Sequence, residues 1–296
     1  MRFKSALLCA AFVTAGACSE KSGISDPVTP GPAATIRFIN ATVDTGTVDF
    51  RFTDKVENLP MLLGVPFRGT SGFFTRVTPG TRPVRIFVNS TDPVETQKRL
   101  VDTTITLVAD KRYTLVYAGQ ARGNQDRLVV MEETTPPPTP PAGSIAIRAL
   151  NLDPGRSSAD VAFSETDTLV AKSPAVTPAP PRNEGPVAAT IAAAPYFTYT
   201  PYVTMGALPL TGVRDSLYRV SVSTAGSGTV SYSRINTQRG ATAPAGVSYG
   251  PQPGIQIPGS VLTALILPGA TPGSKAATTS NLTPTIVLIA DKTLNP

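Results

Sequence analysis

The stretch TIRFINATVDTGTVDFRF, Thr35 to Phe52, sets the fold class. Ile36 and Phe38 alternate with Arg37, so apolar side chains recur at every second residue. That period places them on one face of a strand and the polar residue on the other. After this first run, Thr35 to Asn40, apolar and β-branched stretches recur in VDFRF (Val48 to Phe52), SGFFTRV (Ser71 to Val77), PVRIFVN (Pro83 to Asn89), DTTITLV (Asp102 to Val108), YTLVYAG (Tyr113 to Gly119) and RLVVME (Arg127 to Glu132), several of them with the same period. Ile105 and Leu107 alternate with Thr104 and Thr106. Thr78-Pro79-Gly80 and Ala109-Asp110-Lys111 supply turn chemistry between runs. Seven short strands bounded by turns predict an antiparallel β-sandwich. Lys55 to Gly64 has room for one helical turn, interrupted by Pro60.

TTPPPTPPAGS, Thr134 to Ser144, marks a boundary. Its prolines suit neither a sheet interior nor a helix and favour an extended spacer. Beyond it SIAIRALNLD, Ser144 to Asp153, lies over TIRFINATVD, Thr35 to Asp44, without a gap, and Ala159 to Phe163 follows as the next strand. Further strands are expected in Tyr196 to Met205, Leu217 to Ser223, Thr229 to Ile235, Val261 to Leu267 and Pro284 to Ala290. Ala171 to Ala194 and Gly240 to Pro258 are rich in Ala, Gly and Pro and are expected as long surface loops. The organisation predicted is a first domain over residues 34–133, a proline-rich linker over 134–143 and a second, looser domain over 144–296.

The N-terminus carries an address. Arg2 and Lys4 precede a short apolar run, Ser5 to Thr14, then Ala15, Gly16, Ala17 and Cys18. The run is too short to span a bilayer and reads as an export signal over residues 1–17. Small residues before a cysteine resemble the bacterial lipobox, in which the cysteine sulfur receives a diacylglyceryl group. Cys9 falls inside the signal, so Cys18 would have no disulfide partner in the mature chain. Several acyl chains on Cys18 would make a stable membrane anchor. Ser19 points to the outer membrane, and residues 18–33 read as a flexible tether.

Composition removes whole chemistries. The chain of 296 residues has no histidine, so neither an imidazole base nor a Ser-His-Asp constellation can be assembled. No phosphate-cradling loop, nucleophile elbow or dinucleotide fingerprint is present, and no cofactor is expected. The net charge of +6 is scattered rather than gathered into a stripe, which argues against a nucleic-acid partner.

IRFINATVDTGTVDFRF, Ile36 to Phe52, resembles the opening motif of the bacterial envelope family known as domain of unknown function 4397 (DUF4397). Asp44 and Asp49 fall on the family's two aspartates, and Asn40 stands where the family has histidine. GVPFRGTSGFFTRVTPGTRPVRI (Gly64 to Ile86), TITLVADKRYTLVYAG (Thr104 to Gly119) and RLVVMEE (Arg127 to Glu133) resemble later segments. On the gap-free overlay Ala149 takes the histidine position in the second domain. The resemblance implies immunoglobulin-like sandwiches in tandem on an exported protein and implies no catalytic activity.

Two sets of residues are candidate sites. Asp44 and Asp49, near the first hairpin, are oxygen donors of the kind calcium prefers. As residues an odd number apart they fall on opposite strand faces, so turn capping and backbone satisfaction compete with that role. Tyr196, Phe197, Tyr199 and Tyr202 form an aromatic cluster suited to a binding patch or to half-buried strand packing. The function expected is non-enzymatic binding, adhesion or scaffolding at the cell envelope, with an envelope protein or glycan as partner. The alternatives are a structural envelope protein and a carbohydrate-binding accessory module.

Overall fold

The computed structural model describes residues 31–55, 59–169, 184–208, 210–211, 214–236, 238–243, 246 and 250–294. The signal, Cys18 and most of the tether lie outside the described residues.

The first half forms β1 (Ala34–Thr42), β2 (Val48–Phe52), β3 (Thr75–Val77), β4 (Gly80–Val88), β5 (Arg99–Leu107), β6 (Arg112–Gly119) and β7 (Arg127–Glu132). They make two sheets, β3-β1-β6-β7 and β2-β4-β5. Ile36, Phe38, Phe50, Val84, Ile86, Leu115 and Tyr117 fill the space between them. The second half forms β8 (Ser144–Asn151), β9 (Ser158–Leu169), β10 (Glu184–Pro195), β11 (Val203–Gly206), β12 (Leu210–Thr211), β13 (Arg214–Thr224), β14 (Val230–Ile235), β15 (Val261–Leu267) and β16 (Thr285–Ala290). Its sheets are β11-β8-β15-β16 and β10-β9-β13-β12, with β14 also on β13. Ile147, Val161, Phe163, Val220, Leu262 and Ile266 belong to the core between them.

The chain is all-β, with two immunoglobulin-like sandwiches. Among the described strands pairing is antiparallel except that β1 runs parallel to β6 and β8 parallel to β15. Parallel neighbours cannot be joined by a tight hairpin. In both halves the intervening chain therefore crosses to the opposite sheet and returns. β10 lies within the stretch expected as a surface loop. It is an Ala-rich edge strand that pairs with β9 through several register shifts. The loop expected over Gly240 to Pro258 also turns inward at its end, where Ile255 and Ile257 are buried and Ile255 joins the second core.

The gap-free overlay of the two halves is corrected by two residues. Arg37 pairs in register with Thr114 of β6, and Arg148 with Thr263 of β15. Asn40 Oδ1 accepts from the Thr42 amide, and Asn151 Oδ1 from the Asp153 amide. Ile36-Arg37-x-x-Asn40 therefore corresponds to Ile147-Arg148-x-x-Asn151. Asn151, not Ala149, takes the histidine position. A slip of two keeps every side chain on its own face, so the hydrophobic pattern cannot reveal it.

The sheets carrying the parallel pairs pack against each other. Ile39, Ala41, Val116 and Ala118 of the first sandwich meet Leu150, Leu152, Leu265, Leu267 and Ile289 of the second in one apolar cluster. β1, β8 and β15 are consequently buried on both faces. The proline-rich segment expected as an extended spacer runs beside this seam, with Pro138 carbonyl accepting from Lys292 Nζ. Residues Pro32 to Pro296 form one compact unit.

A fragment of residues 34–133 would keep its own core but expose the seam face of β1 and β6. It is expected to unfold at lower urea than the same sandwich in the full chain and to self-associate. Urea titration and size-exclusion chromatography check both outcomes.

Candidate ligand cleft at the seam

Along each of β1, β6, β8 and β15 the seam residues follow one order: a polar residue, an apolar middle, then a loop. The polar end is a ring of four buried charges. Arg37 lies 3.3 Å from Glu133 and 3.0 Å from Asp291, and Arg148 lies 2.8 Å from Glu133 and 3.3 Å from Asp291. None of the four side chains is more than 2% exposed. Glu133 and Asp291 follow the ends of β7 and β16, so they too are equivalents in the two halves. Thr114 donates to Glu133 at 2.9 Å and Thr263 to Asp291 at 2.6 Å. Each carboxylate thus faces both arginines and the threonine of its own sandwich.

Such a ring holds its charges only because they neutralise one another. Burial opposes the charge on Arg37, but Tyr199, Asp291 and Glu133 outweigh it and raise its pKa. Burial likewise pushes the Asp291 carboxyl up, yet Arg37, Arg148, Thr263 and Tyr202 hold it below the usual carboxylate range. Phe74 caps the ring from outside, its centroid 4.4 Å from the Arg37 guanidinium and 4.0 Å from that of Arg112.

A second clamp sits toward the loop end. Arg68 donates to the carbonyl of Pro268 at 3.0 and 2.6 Å, to that of Asn281 at 2.9 Å, and to that of Thr283. Burial and Arg234 lower its pKa to about 10, which leaves it charged at neutral pH. The Thr271 amide donates to the Val43 carbonyl at 2.8 Å, and Val43, Phe67, Ala270 and Ala276 pack beneath. These contacts hold the loop after β15 against the first sandwich.

Beyond the apolar middle the seam opens into a cleft of about 730 Å³ with walls from both sandwiches. Ala41, Ala118 and Leu152 form its floor, and Gln120, Gln125, Arg127, Asp153 and Tyr196 supply its polar and aromatic lining. Gly119 at the end of β6 has φ +104°, and a Cβ there would lie 2.2 Å from the Gln125 carbonyl oxygen. Only glycine lets the Gln120 to Gln125 loop fold back over the strand. Asp153, the one carboxylate in the lining, accepts from the Gly155 amide at 3.0 Å and pairs with Arg156 at 3.3 Å. A second cleft of about 720 Å³ opens beside the linker and includes Phe197, Tyr199 and Tyr202 in its lining.

The aromatic cluster is divided by this geometry. Tyr196 lines the first cleft, and Phe197 stacks against it with centroids 4.3 Å apart. Tyr199 donates to Thr114 at 2.7 Å and Tyr202 to Asp291 at 2.8 Å, so both hydroxyls belong to the charge ring. Burial raises the pKa of both phenols, which keeps them protonated as donors. Asp44 and Asp49 engage separate partners. Asp44 caps the loop after β6 by accepting from the Ala121 and Arg122 amides at 3.0 and 2.9 Å. Asp49 accepts from the Gly64 amide, from Asn89 and from Arg51. Burial alone would raise the Asp49 pKa, but these donors hold it low. Among the described residues no group of three His, Cys, Asp or Glu gathers to hold a metal ion. Sequence reading missed Arg37, Glu133, Arg148, Asp291 and Arg127; the repeated Ile-Arg-x-x-Asn is the signal that could have found the two ring arginines.

Residues 34–162 match the family model described as Domain of unknown function (DUF4397). Among solved structures the chain is similar to a candidate cell adhesion protein from Bacteroides ovatus ATCC 8483, at 7% identity, covering 89% of this chain and 99% of that one with a TM-score of 0.25. It is similar also to a candidate cell adhesion protein from Bacteroides eggerthii DSM 20697, at 10% identity, covering 89% and 97% with a TM-score of 0.19. No curated protein matches the chain.

Glu133→Ala strands two buried guanidinium groups beside one remaining carboxylate and is expected to cost about 3–5 kcal/mol of stability, read by urea unfolding. The low folded pKa of Asp291 means its contribution is complete above the unfolded value of about 4 and is lost as pH falls through the folded value. Asp291→Asn should therefore be less stable than wild type at pH 7, with a gap that narrows below about pH 4. Unfolding curves across that range test the sign.

Proposed function

We propose that this chain, a member of the DUF4397 family over residues 34–162, is a lipid-anchored protein of the bacterial outer membrane that binds a ligand or partner and performs no catalysis. The observation that carries the reading is the cleft at the open end of the seam. Its volume lies in the range of ligand sites, and its walls come from two sandwiches locked by buried charges and the Arg68 clamp. A site preorganised in this way spends little binding free energy on ordering itself. Its lining holds one carboxylate, already paired, whereas glycoside hydrolysis uses two. Binding, adhesion or scaffolding fits these walls better than bond cleavage does. The anchor is the lipid on Cys18, followed by the polar tether.

Fractionation and protease shaving of cells carrying a C-terminally tagged copy test the address. The wild-type chain is expected in the outer-membrane fraction and Cys18→Ala in the soluble fraction. Cys18→Ala remaining with membranes would remove the lipid anchor from the proposal. Loss of the tag from intact cells would place the cleft at the surface, and protection until the outer membrane is opened would place it in the periplasm.

A further inference from the structure

The cleft lining holds unspent polar groups of a particular kind. Arg127, at the start of β7, is exposed, lies with its guanidinium 5.2 Å from the Phe197 ring centroid, and has no carboxylate partner among the described residues. Asp153, the only carboxylate in the lining, is committed to Arg156. The Gln120 and Gln125 side-chain amides are exposed and make no hydrogen bond among the described residues. Tyr196 presents a half-buried aromatic ring on the same wall, backed by Phe197.

Resting on the binding reading above, we propose that this cleft takes a carboxylate-bearing saccharide. One guanidinium with no carboxylate partner, on a wall whose single carboxylate is held by Arg156, suits one negative charge, and its planar fork matches a carboxylate in two parallel hydrogen bonds. No lysine or second free cation lines the cleft to share the charge of a phosphate dianion. Primary amides both donate and accept, as sugar hydroxyls do, so Gln120 and Gln125 can each meet a hydroxyl in either sense. The C–H face of a pyranose ring packs on an aromatic face, which is the surface Tyr196 offers. Ala41, Ala118, Gly119 and Gly269 line the cleft with little side-chain bulk, leaving room for a ring.

The full chain in detergent is titrated by calorimetry with trigalacturonic acid, with the neutral galactose trisaccharide, and with a short peptide ending in a free carboxylate. Isotope-edited NMR of the tyrosines runs in parallel. The acid is expected to bind about tenfold or more tightly than the neutral sugar. Arg127→Met should remove that preference by weakening the acid far more than the neutral sugar, Arg127→Lys should restore part of it, and Tyr196→Ala should weaken both sugars. Equal affinity for acid and neutral sugar, indifference to Arg127→Met, or binding of the peptide alone would overturn the proposal while keeping the cleft as a binding site. No tyrosine perturbation by any of the three would overturn it and count against the cleft itself.

Discussion

The mutual neutralisation of Arg37, Glu133, Arg148 and Asp291 is the constraint on which the rest of the molecule depends. Two arginines and two carboxylates taken out of water are tolerable only when each sees opposite charges at hydrogen-bond distance. That condition is met in a single arrangement of the two sandwiches. The apolar residues of the seam attract without direction, and two flat sheets of alanine, leucine and isoleucine could slide on one another. The charges permit no slide, since displacement by one strand position would bury a guanidinium against a methyl group. With the polar end pinned, the apolar middle closes in register and the loops at the far end meet at the spacing that leaves the cleft open.

Much of this was legible in the strands themselves. β1, β4, β5, β6, β13, β15 and β16 lie where runs rich in β-branched, leucine and aromatic residues are bounded by turn signals. β10 was illegible because its residues are mostly alanine, proline and glycine, with low strand preference, and its place at a sheet edge comes from pairing with β9 rather than from its own pattern. The stretch ending at Ile257 read as a loop because glycine and proline dominate it, although two isoleucines within it are buried. In each case tertiary contact overrode composition.

Burial on both faces was hidden for a different reason. Arg37 between Ile36 and Phe38 looks like any arginine on the wet side of a half-buried strand, and alternation carries no information on what lies opposite. Its partner Asp291 is 254 residues away. Tyr199 and Tyr202 were visible as a cluster, but their hydroxyls serve the ring, and only Tyr196 reaches the first cleft. That cleft is assembled from loops of both halves, so no contiguous segment announces it.

The 254-residue separation between Arg37 and Asp291 also bears on how the molecule comes to be made. During vectorial synthesis the first sandwich can form as soon as β7 is available, but the strand leading to Asp291 arrives much later. For that interval Ile39, Ala41, Val116 and Ala118 face solvent. Arg37 lacks its second carboxylate, and late contacts between distant segments close slowly. The exposed sheet face is then a natural handle for a chaperone and a natural point of failure by wrong pairing between chains. The seam that joins the two sandwiches is, until β16 docks, an exposed apolar surface prone to aggregation.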